Sequence, residues 1–215
     1  MFSRSGATGK TETLAELSRR YGSDKAPNCP IYEQYFAGLR QEPINFFEIG
    51  VGGYDDPQVG GGSLRMWKHY FPKARVFSLD IHDKRALEED RIRIFKGSQS
   101  DAGLLRQIAA EIGRIDVILD DGSHVSSDVI RAFEVLYPLL KEGGIYIVED
   151  VGTSYWPDHG GSYDHSAPTT SMNYFKRITD GLNHFAFKHQ YSPTYADLHT
   201  QFVHFYQNFI VMQKK

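Results

Sequence analysis

Five short apolar runs, each closed by polar or glycine residues, constrain this chain more than any other feature. They are INFFEIG (44–50), ARVFSLDI (74–81), RIRIFKG (91–97), IDVILDD (115–121) and GIYIVED (144–150). Between them the spacing predicts helices near 63–71, 101–113 and 127–141. The last places Val129, Ile130, Phe133, Leu136, Tyr137 and Leu140 on one face. Strands alternating with helices predict a parallel sheet covered on both sides. Such sheets bind ligands beyond the carboxyl ends of their strands. The residues that close each run are therefore the ones to read.

The flanks complete the plan. Residues 1–11 are small and polar, and a disordered start is expected. GATGKT (6–11) imitates a phosphate-binding loop, but position 5 is Ser rather than Gly and no strand precedes it. Leu14, Leu17 and Tyr21 mark one helix; Ile31, Tyr32, Tyr35, Phe36 and Leu39 mark a second, with Cys29 and Pro30 in the turn between. Tyr21 and Lys25 have the spacing of a short-chain dehydrogenase pair. They precede the first strand, so coincidence or a local role in the 21–25 loop is the reading. At the other end, FVHFY (202–206) and FIVMQ (209–213) flank Gln207-Asn208, which predicts an antiparallel hairpin. A parallel sheet finished by such a hairpin is the plan of class I methyltransferases, a Rossmann-like three-layer sandwich. A plain dinucleotide-binding fold would end in further parallel units. The 215 residues suit one domain, with N-terminal helices up to 43 and a cofactor-binding core over 44–215.

Composition narrows the partners. A net charge of −3 with scattered basic residues argues against nucleic acid. No apolar run approaches the roughly 20 residues of a membrane helix. The start has no apolar leader and Cys29 is the only cysteine, so a cytoplasmic protein is expected. Most of the 13 Tyr and 14 Phe are expected in the core, and the remainder can line a sugar pocket.

The first three runs carry the candidate cofactor site. In EIGVGG (48–53), Gly50 and Gly52 allow a tight turn and close approach of a ligand. The turn fits dinucleotide enzymes as well as methyltransferases. A helix does not follow promptly, because DDPQVGGG (55–62) intervenes before Ser63, the expected N-cap. A pyrophosphate would want that helix N-terminus close by, so the loop suits a ligand without phosphates. Glu48 sits where an ammonium can be held. Asp80 can accept hydrogen bonds from both ribose hydroxyls. In GSQSD (97–101), Gln99 and Ser100 can contact adenine, while Asp101 is either a ligand contact or a helix cap.

The fourth and fifth runs carry the chemistry. Asp120-Asp121-Gly122-Ser123-His124 closes one and Glu149-Asp150 the other. On adjacent strands both acidic pairs open into one crevice. Four carboxylates there repel unless some bind a cation or stay protonated. Oxygen ligands favour magnesium, calcium or manganese. A hard cation lowers the pKa of a hydroxyl, and an imidazole such as His124 can take its proton. The following segment, GTSYWPDHGGSYDHS (152–166), is Gly-rich like a lid. Its Tyr155, Trp156, His159, Tyr163 and His165 can stack on and hydrogen-bond a sugar.

ILDDGSH and YIVED, with EIGVGG upstream and YGSDK before the sheet, resemble the metal-dependent sugar O-methyltransferases. That family includes the macrocin and mycinamicin enzymes and the rhamnosyl methyltransferases, with a cephalosporin hydroxylase group related in sequence. The likeness covers about residues 14–215. It departs where APNCPIY follows YGSDK without the expected His, and the large N-terminal domain of mycinamicin-type enzymes is not in this sequence. The resemblance implies transfer of methyl from S-adenosylmethionine to a hydroxyl of a sugar or glycoside. The acceptor would be a natural-product sugar or a polysaccharide precursor such as a methylmannose chain. It also implies Asp121, Glu149 and Asp150 as magnesium ligands, His124 as general base, Asp120 near the methionine end of the cofactor, and a homo-oligomer formed through the N-terminal helices. Two rival readings remain from the residues: an NAD-dependent oxidoreductase and a non-catalytic S-adenosylmethionine-binding protein.

Overall fold

The computed structural model describes residues 12–215; the start, including GATGKT, lies outside the described residues. Seven strands form one sheet in the order β3-β2-β1-β4-β5-β7-β6. β1 (Asn45–Ile49), β2 (Arg75–Asp80), β3 (Ile92–Lys96), β4 (Ile115–Asp120) and β5 (Leu140–Glu149) are parallel. β6 (Thr200–Tyr206) and β7 (Phe209–Lys214) form the hairpin, and β7 pairs antiparallel with β5. The expected five-stranded parallel sheet and terminal hairpin are both present.

Alternate residues of each strand supply two separate cores. Phe46, Val117, Leu119, Ile147 and Val211 meet α1 (Leu14–Tyr21), α2 (Cys29–Phe36) and α3 (Gly62–Tyr70) on one face. Phe47, Ile118, Tyr146 and Ile210 meet α4 (Ala102–Ile112), α5 (Ser126–Leu136), α6 (Ser171–Gly181) and α7 (Tyr195–His199) on the other. Each face is thus buried by helices, as a parallel sheet requires. Among the described residues no helix is long and apolar enough to cross a membrane.

The strand order reverses between β1 and β4, and a crevice opens beyond their carboxyl ends. Ile49 is in register with Asp120, and Asp121 N–H donates to the Ile49 carbonyl at 3.0 Å. β4 and β5 are neighbours, so both acidic pairs do end at the same rim.

Three boundaries differ from expectation. Cys29 and Pro30 open α2 rather than lying in the turn before it, since proline is tolerated in the first turn of a helix. α3 begins at Gly62 with Gly61 as its N-cap, in the left-handed region; Ser63 instead lines a cleft together with Glu48. α5 stops at Leu136, a 3-10 turn covers Tyr137–Leu139, and β5 starts at Leu140. Pro138 lacks the N–H that a continuing helix needs, so the apolar periodicity outlasts the helix. Asp101 caps α4, accepting from the N–H groups of Gly103 (2.9 Å) and Leu104 (3.0 Å). Asp101→Ala is expected to lose about 0.5–2 kcal/mol of stability. An unchanged denaturant midpoint would show that the cap contributes nothing.

Candidate active site

The crevice holds a cleft of about 570 Å³, within the range of small-molecule sites. Gly50, Gly52, Asp80, Gln99, Asp121 and His124 all line it. A second cleft of about 370 Å³ shares Gly50, Gly52 and Asp121 and adds Glu48, Ser63 and Lys25. Gly50 separates strand from turn at φ +102°, and a Cβ there would stand 2.2 Å from the carbonyl oxygen of Asp121. No other residue lets β1 and the turn after β4 approach this closely.

The expected cofactor residues divide into two groups. Asp80 faces the first cleft, and its two oxygens also accept from Val51 N–H (3.0 Å) and His82 N–H (2.8 Å). It therefore shapes the glycine turn as well as facing the ligand space. Gln99 lines the cleft but is buried, donating to Asp120 at 3.1 Å and accepting from Ser123 N–H at 2.7 Å. Ser100 is exposed and outside the lining; its hydroxyl bonds that of Ser98, which does line the cleft. Asp120 is buried beneath the lining, with its carboxylate on Gln99, and burial pushes its pKa up to about 7. Glu48 is buried at the second cleft and accepts from the Trp67 indole N–H at 2.9 Å. Burial pushes its carboxyl up to about 8, against the pull of Lys25.

At the rim, Asp121, His124 and Asp150 offer ligand atoms that all lie within 4.8 Å of one another. His124 Nε2 is 3.7 Å from Asp150 Oδ2. Both residues have positive φ, 56° and 52°, a conformation that non-glycine residues hold only when their surroundings enforce it. The Thr153 hydroxyl lies 2.9 Å from the His124 carbonyl and 2.8 Å from that of Asp150, tying the two turns together. Glu149 stands behind this group, 6% exposed. One of its oxygens accepts from Lys25 at 3.3 Å and the other, Oε1, is buried without a hydrogen-bond partner. Burial pushes its pKa up to about 7, with Lys25 pulling it back. An orphaned carboxylate oxygen beside converging carboxylates fits a hard divalent cation.

Sequence reading gives Lys25 only a coincidental or local role in the 21–25 loop, and its actual partners Asp121 and Glu149 lie far along the chain. Lys25 is 1% exposed, and its ammonium pairs with Asp121 and Glu149. Burial pulls its pKa down, but Glu149, Asp121 and Glu48 outweigh that and hold it well above the ordinary lysine value. The available signal was an acidic cluster with no basic residue of its own, which makes a lysine elsewhere its natural counter-charge. The expected sugar contacts Tyr155, Trp156 and His159 lie outside the lining of both clefts. Trp156 and His159 pack edge to face at 5.5 Å, and Tyr155 packs on His165 at 5.3 Å. The start of that segment is anchored rather than free: Thr153 and Ser154 are buried, and the Ser154 hydroxyl bonds that of Ser171 at 2.7 Å.

Known proteins resemble this chain in sequence and fold. The family described as Rhamnosyl O-methyltransferase/CmcI matches residues 59–197. The 8-demethyl-8-alpha-L-rhamnosyl tetracenomycin-C 2'-O-methyltransferase of Streptomyces olivaceus is 49% identical over 174 residues, 80% of this chain and 46% of its own length. The demethylmacrocin O-methyltransferase of Streptomyces fradiae is 40% identical over 216 residues, 97% of this chain and 55% of its own. The MycE methyltransferase of the mycinamycin biosynthetic pathway, solved with Mg, SAH and mycinamycin VI, superposes with a TM-score of 0.91. It is 39% identical and is matched over 95% of this chain and 54% of its own. The chain spans about half the length of the curated relatives it matches. A caffeoyl-CoA O-methyltransferase structure from Staphylococcus aureus, 18% identical with a TM-score of 0.51, shares the fold alone. The fold is that of the class I O-methyltransferases, and the chain belongs to the rhamnosyl O-methyltransferase/CmcI family.

Proposed function

We propose that this chain carries the S-adenosylmethionine site and the divalent-cation site of an O-methyltransferase acting on a sugar hydroxyl. The observation that supports this most is the grouping of Asp121, His124 and Asp150 at the rim of the cleft that Asp80 and Gly50 also line. A base beside carboxylates suits a reaction that must deprotonate a weak acid. The names of the relatives point to a natural-product sugar such as a rhamnosyl group as acceptor.

In this reading Asp80 receives the ribose hydroxyls and Gln99 borders the adenine. Gly50 and Gly52 leave room for the thioether chain, and the second cleft takes the amino-acid end beside Ser63 and Glu48. Asp121, Glu149 and Asp150 would hold magnesium, which would supply acidity to the acceptor hydroxyl. His124 takes the hydroxyl proton as the oxygen forms its bond to the methyl carbon. The sulfur–carbon bond breaks and S-adenosylhomocysteine leaves. Fixing both reactants in line supplies much of the rate. The exposed ring of Trp156, with Tyr155 and His159, is the proposed outer platform for the sugar. Self-association would use the outer faces of α1 and α2, because their inner faces are spent on the sheet. A cytoplasmic setting goes with the cofactor.

The oxidoreductase reading lacks support at one point. A plain dinucleotide-binding fold would end in further parallel units, whereas β7 runs antiparallel beside β5. Calorimetric titration separates the readings. S-adenosylhomocysteine is expected to bind and NAD⁺ is not; the reverse would overturn the proposal. Asp80→Ala should weaken the binding by about 1.5–3 kcal/mol, the usual worth of a hydrogen bond to a charged group. Unchanged affinity would remove Asp80 from the site.

A further inference from the structure

The sequence pattern reads Asn208 only as half of a polar turn between two strands. The structure gives its side chain a second task. β7 pairs with β5 so that Phe209 lies opposite Glu149. The register therefore delivers the preceding residue, Asn208, to the turn that holds Asp150. Asn208 Nδ2 donates to Asp150 Oδ1 at 2.6 Å, and Asn208 Oδ1 accepts from the Gly152 N–H at 2.6 Å. Only one orientation of the amide satisfies both partners, because a carboxylate needs a donor and an N–H needs an acceptor. The fit is close: a Cβ on Gly152 would stand 2.7 Å from that same amide oxygen.

Asp150 needs such a restraint. Its side chain is 49% exposed and its backbone is in the left-handed region. A short carboxylate in that setting rotates freely unless something fixes it. One oxygen is taken by Asn208, and the other lies 3.7 Å from His124 Nε2. Partners of this kind behind a ligating group fix its orientation, and their loss typically costs about 10–100-fold in metal affinity.

We propose that Asn208 is the positioning residue for Asp150, fixing its carboxylate so that it shares a cation with Asp121 and making the C-terminal hairpin part of the site. This rests on the cation reading given above. The competing explanation is that Asn208 serves the turn alone, since its φ is 60°. Glycine separates the two, because it adopts positive φ freely and carries no amide.

The test is binding of Mn²⁺ to the full chain, followed by electron paramagnetic resonance, for the wild type and Asn208→Gly. The variant is expected to melt close to the wild type in EDTA and to bind Mn²⁺ about 10–100-fold more weakly. In an Asp150→Asn background, adding Asn208→Gly should change the affinity no further, because the amide acts through that carboxylate. Equal affinity of wild type and Asn208→Gly overturns the proposal alone, and so does full additivity of the two substitutions. A wild type that takes up no Mn²⁺ overturns the cation reading, and the proposal falls with it. If Asn208→Gly does not fold, the side-chain NH₂ of Asn208 in the wild type decides by nuclear magnetic resonance. Strongly deshielded protons that shift on adding Mg²⁺ support the proposal. A signal like that of a free, solvated asparagine in both states overturns it.

Discussion

Exhaustive chelation is expected to abolish methyl transfer while leaving S-adenosylhomocysteine binding largely intact, and added magnesium is expected to restore turnover. The separation follows from charge. A sulfonium is already positive, so a cation placed against it would be repelled, and the ion would serve the acceptor oxygen instead. The carboxylates point the same way: Asp121 and Asp150 converge at the rim with His124, while Asp80 faces the cleft from the end of β2. Asp121→Asn should behave like chelation in a transfer assay with labelled methyl donor. It also strips Lys25, a buried ammonium, of one of its three carboxylate partners. Some loss of thermal stability therefore accompanies it, since a buried charge left short of partners is costly. Full activity after chelation would defeat the cation role.

His124→Ala is expected to slow the chemical step by roughly 10²–10⁴-fold, the usual worth of a positioned general base. The imidazole also lies among the possible ligand atoms, so the variant must be read twice. If His124 is the base, the chain keeps its Mn²⁺ affinity and loses rate. If it is a ligand, affinity falls with the rate. Full activity with the metal still required would leave the ion as the only activator and pass the proton to water or a carboxylate.

What the sequence made legible was whatever is local. The five runs, the helices between them and the hairpin follow from periodicities of two and 3.6, and the rim follows from the rule that ligands sit beyond strand ends. Adjacent acids were harder to assign. Asp120 and Asp121 are neighbours, yet one is buried against Gln99 and the other faces the cleft; Glu149 and Asp150 divide in the same way. Successive side chains near a strand end leave on opposite sides, and the sequence does not say which side is the crevice. Ser98 lines the cleft in place of Ser100, because the chain turns after β3 and strand alternation no longer says which side chain faces it. Long-range partners were not legible at all. Lys25 reaches Asp121 across 96 positions, and Asn208 reaches Asp150 across 58. Those contacts exist only once the sheet has set its register, and both residues sit in segments that read locally as loop and turn.

If one rim joins a methyl donor to a metal-assisted hydroxyl, mass spectrometry of a rhamnosyl glycoside incubated with the chain will show it, since one spectrum distinguishes a methyl gained from two hydrogens lost. With S-adenosylmethionine and Mg²⁺ the acceptor should gain one methyl, and with EDTA in place of Mg²⁺ it should gain none. Oxidation of the sugar in the presence of NAD⁺, or a methyl gained undiminished in EDTA, would contradict it.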